Sequence, residues 1–333
     1  MGLTAFTFER EPSELFLELG YDLYRGEAGF VPPLRSDVRA QLSPRFGFHG
    51  LASSDHRRFL VRARGRVLAR AMATVDGARR DEAGRLVGAV GFFESVDDYA
   101  AAADVLGAAV DWLRTAHGIR RVLGPLNFDI WHGYRLMTRG FERDRFFGEP
   151  FNKRYYPDFF ERFGFSVHRR WNTFELPGSL PEAGLGSATG PSWRDLAARG
   201  YRFEPFGARP FDASVALLHE VLTRAFAVFP AFTPIGLPEF GGLMSLARHV
   251  IHPECSTFAF DENGAPAGFT TVFVDVADAV RAMKGRSTFA GRLRFLWRRR
   301  GARRLLLHLG GITPAESARH SGLARALFHC TVA

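Results

Sequence analysis

The sequence predicts a mixed α/β protein of two tandem domains, each with a mostly antiparallel sheet flanked by helices. Three observations predict it. At 333 residues the chain exceeds the length near which single cores stop growing, about 250 residues. The stretch from Pro177 to Pro191 is rich in glycine, proline and serine and has no apolar periodicity, which marks a linker. The same order of elements reads on either side of it. The expected division is residues 1–178, a linker at 179–195, and residues 196–333.

In the first half, Thr4 to Phe8 reads as a strand, and Leu15 to Tyr24 as an amphipathic helix that can bury Leu15, Leu17, Leu19 and Leu23. The Pro32-Pro33 break precedes a second short helix. Arg58 to Ala63 and Val67 to Val75 alternate as strands around a tight turn at Arg64-Gly65. Leu86 to Phe93 is a further strand; Asp97 is a suitable N-cap for a helix that Gly118 closes. Arg121 to Leu126 reads as a strand, Tyr155 to Phe163 as a short helix, and Phe165 to Leu176 as a closing strand region.

The second half repeats this plan. Tyr201 to Phe206 is a strand, Ser214 to Phe226 a helix, and Pro238 to Val250 a helix with proline near its start. Ser256 to Phe260 and Ala267 to Val274 flank Asn263-Gly264, a dipeptide suited to a type I′ hairpin. Phe59 and Gly65 of the first hairpin keep the spacing of Phe258 and Gly264 in the second, which supports an internal duplication. Arg303 to Ile312 then reads as a buried strand and Gly322 to about Cys330 as the start of a helix. If the second domain copies the first, its last strand, short helix and closing strand are missing after Ala333; the unfinished sheet edge is then covered by another chain, as in a homo-oligomer, or by the first domain, or the chain is a truncated product.

The net charge of +9 is concentrated: Arg281 to Arg304 holds ten basic residues and no acidic one, which leaves the rest of the chain at −1. The charge balance is therefore no argument for nucleic-acid binding by the whole protein, and DNA is not expected as a partner. The basic segment, with Phe295 and Trp297 inside it, has three readings: it attracts a polyanionic cofactor, it contacts RNA or membrane phosphates, or it is a solvated helix face. Its aromatic residues are too sparse for base stacking. Met1 to Arg10 has no signal-peptide pattern and no stretch approaches a membrane span, so a cytoplasmic protein is expected. Cys255 and Cys330 stand apart, outside any metal-ligand spacing, and read as buried thiols; no metal is expected.

The segment with chemistry in it is Arg319-His320-Ser321-Gly322-Leu323-Ala324, lying after a strand and opening a helix. A helix N-terminus offers free N–H groups and the positive end of the dipole to an anion, and Gly322 lets the backbone approach closely. This segment resembles the Q/R-x-x-G-x-G/A pyrophosphate loop of the GNAT acyltransferase superfamily, with Pro314 two residues farther from the basic residue than in many such loops. The resemblance implies a site for acetyl-CoA or another acyl-CoA at Arg319, His320, Ser321, Gly322, Leu323 and Ala324. It also implies that the strand leading in, through Gly311, Ile312 and Thr313, pairs with the pantetheine arm. The first half is similar to the same fold over most of its length, its Tyr155 to Phe165 run resembling the family's late helix. The Phe30 to Leu34 entry and Gly124 to Phe128 are similar to uncharacterised bacterial tandem members. Where that half should have a loop it has Glu94-Ser95-Val96-Asp97, whose acids would repel pyrophosphate.

Aminolysis of a thioester needs a base, and often an acid for the leaving thiolate. By the resemblance Tyr155 or Tyr156 matches the family's acid, though only in the half without the loop; Glu254, His252 and Glu239 are candidate bases. Asp129, His132 and Tyr134 either line a pocket or satisfy their own loop. The implied function is an acyl-CoA-dependent N-acyltransferase acting on a small-molecule or aminoacyl amine. The alternatives are a non-catalytic ligand- or RNA-binding module and an aminoacyl transferase that uses charged tRNA.

Overall fold

The computed structural model describes residues 1–175, 192–229 and 232–332, so most of the expected linker lies outside the described residues. The chain forms two compact units. One comprises Met1–His168 with Ala277–Gly301, the other Arg169–Val276 with Ala302–Ala333.

The first unit runs β1 (Gly2–Phe6), α1 (Arg10–Asp22), α2 (Arg35–Gln41), β2 (Ser54–Ala63), β3 (Arg66–Asp76), β4 (Val87–Ser95), α3 (Tyr99–His117), β5 (Arg121–Leu123) and α4 (Tyr156–Phe163). Its sheet has the order β1-β2-β3-β4-β5, antiparallel except for the parallel β4–β5 pair. Strand alternation sends Phe59 and Val61 to the α3 side and Leu60 to the side of Phe16 and Phe48, so β2 is buried on both faces. The α3 stripe Ala101, Val105, Leu106, Ala109 and Leu113 completes the first of these layers.

The second unit runs α5 (Trp193–Ala198), β6 (Arg202–Pro205), α6 (Phe211–Phe226), α7 (Leu237–Ala247), β7 (Thr257–Phe260) and β8 (Pro266–Val274). The chain then passes to the first unit for α8 (Ala277–Ala282) and α9 (Phe289–Arg299), and returns for β9 (Leu305–Ile312), α10 (Pro314–Ala318) and α11 (Leu323–Val332). This sheet has the order β6-β7-β8-β9, antiparallel throughout. Two helices between the first and second strands, a hairpin, and a helix after the fourth strand recur in both units. The duplication predicted from the sequence is thus visible in the topology.

Several local expectations differ from the structure. Asp98, not Asp97, caps α3: its carboxylate accepts from the amides of Ala100 and Ala101, which a side chain one residue earlier does not reach. The second hairpin is not a two-residue I′ turn. The Asp261 carboxylate accepts from Asn263 N and Ala265 N, and only Gly264 is left-handed (φ 79°). In the first hairpin both Arg64 (φ 49°) and Gly65 (φ 74°) are left-handed, as such a turn requires. No strand forms among the described residues 166–175, where a closing strand is predicted. Helix α5 begins inside the expected linker, on a Ser192/Asp195 capping box. Strand β9 is not buried, as Leu305 and Leu307 are exposed.

The α8–α9 segment is held in the first unit by a turn at Gly285. Its carbonyl accepts from Arg35 N (2.9 Å), and a Cβ there would lie 3.0 Å from the Arg35 guanidinium and 3.1 Å from Pro33 O. Its φ of +69° independently favours glycine.

A packed ring cluster in the first unit makes stability depend on pH. The rings of His49 and His56 lie 4.2 Å apart, tilted by 47°, beside Phe8, and His49 Nδ1 and His56 Nε2 are buried with no hydrogen-bond partner among the described residues. Burial, with Arg58 nearby, pushes His49 down to about 4; burial, then His49 and Arg58, push His56 down to about 3. The unfolded chain therefore binds more protons below pH 6.5, the ordinary histidine value. Stability present above pH 6.5 is expected to fall as the pH drops towards 4, by at most roughly 2 kcal/mol per ring at pH 5. Thermal unfolding followed across this range should show the fall, and His56→Phe should reduce it.

Candidate functional site

The two hairpins give a common register for the two units. Arg70 pairs with Glu94 and Ala69 with Ser95 in the first; Phe269 pairs with Gly311 and Gly268 with Ile312 in the second. Ala69 and Gly268 stand equally far past Gly65 and Gly264, so Glu94 and Gly311 are equivalent, and so are Ser95 and Ile312.

In the first unit this place is filled. Glu94 is largely enclosed, and its Oε2 accepts from the hydroxyls of Tyr24 (2.8 Å) and Tyr156 (2.7 Å), with Arg70 Nη2 3.8 Å from Oε1. Burial raises the Glu94 carboxyl, against the opposing charge of Arg70. Burial and the Glu94 charge push the Tyr156 hydroxyl well above its ordinary value. That hydroxyl also accepts from Ser95 N (2.8 Å), while Tyr155 donates to Ser95 O (2.9 Å). Both tyrosines are thus committed to the backbone at the end of β4. The outer edge of β4 is closed as well: Leu126 N donates to Val90 O, and the Asn127 side chain accepts from Phe92 N (2.6 Å). A Cβ on Gly91 would lie 2.3 Å from Leu126 O. The Asp98 carboxylate occupies the N-terminus of α3, where an anion would otherwise bind.

The second unit has the same frame with these fillings removed. Strand β9 ends the sheet among the described residues, and its outer edge presents backbone N–H and C=O groups. Gly310 and Gly311 stand where the first unit has Phe93 and Glu94. A Cβ on Gly311 would meet Ala225 at 3.2 Å and Phe226 at 3.4 Å, so α6 closes down on this strand. The register slips between Thr271 and Val272, whose partners are Leu309 and Leu307, and His308 bulges out between them. Its ring stacks on Phe273 at 4.3 Å, on the sheet face that Phe269 shares with Phe226 of α6. A lone histidine in an otherwise apolar strand was the available signal for His308.

Beyond β9, Thr313 N extends the pairing to Ala267 O, and α10 takes up the added length of the loop. His320 (φ 47°) and Gly322 (φ 82°) turn the chain into α11. Leu323 N donates to Ser321 Oγ and Ala326 N to Gly322 O, while the amides of Ala324 and Arg325 have no acceptor among the described residues. Arg319 lies beside this turn, within 3.3 Å of Glu262, 3.7 Å of Glu316 and 3.9 Å of Asp261. Glu316 is itself buried and accepts from the Tyr201 hydroxyl (2.8 Å). Arg319 thus ties the loop to the β7–β8 hairpin, and three carboxylates offset its charge.

The other candidates are scattered. Glu254 is exposed in the turn before β7, at the opposite end of that strand from the hairpin that Arg319 reaches. His252 Nδ1 accepts from Cys255 N, and Glu239 is in the first turn of α7. Asp129 Oδ1 accepts from Trp131 N and from His132 Nδ1 (both 2.8 Å), so this loop largely satisfies itself. A cavity of about 300 Å³ opens between α6 and α7, lined by Phe211, Asp212, Leu237 and Arg248. Among the described residues no three His, Cys, Asp or Glu side chains gather as a metal ion would require.

Comparison with solved structures finds a tandem GNAT protein from the clavulanic acid biosynthesis pathway, without AcCoA, covering 99% of this chain and 84% of that one, at 13% identity and a TM-score of 0.48. The chain resembles a tandem GNAT protein almost end to end. Two curated relatives are also found. One is Protein YghO of Escherichia coli K12, 20% identical over 300 residues, which are 89% of this chain and 74% of that protein. The other is the bacterial ceramide synthase of Caulobacter vibrioides, 25% identical over 304 residues, 87% of this chain and 74% of that protein. No family model matches. The loop singled out in the sequence falls in the unit whose last strand, β9, has an open outer edge among the described residues.

The Tyr156 hydroxyl is expected to be structural. Tyr156→Phe removes the hydroxyl that Ser95 N donates to and leaves Glu94 with Tyr24 and Arg70 alone, and should cost about 1 to 3 kcal/mol in denaturant unfolding. Ligand binding by the folded variant should stay unchanged.

Proposed function

We propose that the protein is an acyl-CoA-dependent N-acyltransferase, in which an amine attacks the thioester directly. One observation carries the reading: in the second unit a strand edge unpaired among the described residues runs through Gly310-Gly311 to a helix N-terminus whose Ala324 and Arg325 amides are likewise without an acceptor there, whereas the first unit fills the equivalent places with its own backbone and side chains. An extended pantetheine arm can pair with such an edge as an added strand does, with the diphosphate on Gly322, Ala324 and Arg325. The Caulobacter relative supports an amine acceptor and an acyl-CoA donor, and it gives no preference for acetyl over longer chains.

The amine nitrogen forms a bond to the thioester carbon, the C–S bond breaks, and CoA leaves as thiolate; the proton lost by nitrogen needs an acceptor. We assign that role to His308, the titratable side chain on the strand edge along which the thioester would lie. His308→Ala is expected to leave acyl-CoA affinity intact and to lower turnover by about 10²- to 10⁴-fold. The carboxylates around Arg319 favour a second reading, a module whose loop no longer holds diphosphate.

Ala324→Asp separates the two readings. A carboxylate in the first turn of α11 favours the helix but repels diphosphate, so the variant should unfold no earlier than the wild type and bind acyl-CoA at least about tenfold more weakly. Titration calorimetry with acetyl-CoA and octanoyl-CoA reads the affinity. Absence of binding by the folded wild type would select the second reading.

A further inference from the structure

Helix α9 carries its large apolar side chains on the side that faces water. Phe289, Leu293, Leu296 and Trp297 follow the i, i+4, i+7, i+8 pattern of a single helical stripe. They are 80%, 52%, 50% and 68% exposed. The opposite side holds Gly291, which is buried, and Phe295, which is half-buried. At 100° per residue, Arg292 and Arg299 border the stripe on one side and Arg294 on the other, Arg298 lies farther round beside Gly291, and Arg300 continues the stripe past the C-terminus.

None of these five arginines pairs with a carboxylate among the described residues. Arg292 donates to Ser287 Oγ, Arg294 to Ala290 O, and Arg298 lies over the Trp297 ring. No acid occurs between Arg281 and Arg304. A solvated helix face would be polar, and this one is not. The Gly285 turn, clasped by Arg35, fixes the segment in the first unit.

We propose that α9 is a membrane-surface helix that lies in the plane of a bilayer carrying anionic headgroups. The apolar stripe sinks into the boundary between headgroups and acyl chains, and the arginines on both borders extend their charged heads to lipid phosphates. This arrangement satisfies both halves of the helix surface together. RNA would neutralise the arginines but leave Leu293 and Leu296 in water, and one tryptophan is no stacking platform. At eleven residues, about 16 Å, α9 is too short to span a bilayer. The inference is independent of the acyl-transfer reading, since it rests on a different unit of the chain.

Flotation of the full chain with vesicles tests it. Vesicles of phosphatidylcholine containing phosphatidylglycerol should carry the protein to the top of the gradient, and vesicles of phosphatidylcholine alone should carry at least about tenfold less. The double variant Leu293→Ser/Trp297→Ser, at exposed positions, should keep its thermal unfolding midpoint and lose binding by about tenfold or more. Arg298→Gln/Arg299→Gln should weaken binding and flatten its salt dependence. The proposal is overturned if the wild type does not float with anionic vesicles, or if the Leu293→Ser/Trp297→Ser variant floats equally well. Binding of polyuridylate in place of vesicles would likewise assign the helix to RNA.

Discussion

The antiparallel pairing of β8 with β9 is the constraint on which the second unit depends. It runs from Gly268 opposite Ile312 to Val274 opposite Leu305, with one slip at His308. That register aligns Gly311 under α6, turns His308 onto Phe273, and delivers the chain at Thr313 to the loop before α11. Because a strand's side chains alternate between its faces, a shift of one residue would exchange which of them meet α6 and which meet α11. The open edge, the glycine pair and the helix N-terminus are placed together by this one ladder.

The two units show how a duplicated frame diverges without changing topology. Where the second unit has glycine, the first has Glu94, a carboxylate whose burial would be costly without partners. Arg70 and two tyrosine hydroxyls supply them. Asn127 then occupies the amide at Phe92, and Asp98 occupies the start of α3. Each is a polar group of the chain itself standing where a ligand's polar group could bind, so the first unit is stabilised internally by the same kinds of contact that the second leaves exposed.

Much of this was legible in the sequence because it rests on local patterns. Hairpin spacing between Phe59–Gly65 and Phe258–Gly264 is a property of short segments, and so is the closure of α3 by Gly118. The Arg319 to Ala324 loop stood out because helix starts have a chemical signature. What was not legible depends on tertiary partners. Glu94 reads as a loop acid until the hydroxyls of Tyr24 and Tyr156 are seen to converge on it from other elements. Asn263-Gly264 suits a two-residue turn, but the Asp261 carboxylate reorganises the loop. Arginines of α9 announce a charged segment; which of its sides faces water is set by the Gly285 anchor, far away in sequence from Arg35.

The route of the chain has a consequence of its own. It passes from one unit to the other at 168–169, at 276–277 and again at 301–302. A nascent chain emerging from the ribosome can therefore pair β6, β7 and β8 long before β9 exists, and must wait through the whole of α8 and α9 for the strand that completes the ladder. No single cut yields two self-contained pieces: a break after residue 168 strands α8 and α9 with the wrong partner, and a break after 276 deprives the second sheet of its last strand. The units are separate as compact bodies yet inseparable as stretches of gene, so recombination could exchange the pair as a whole far more readily than either member alone.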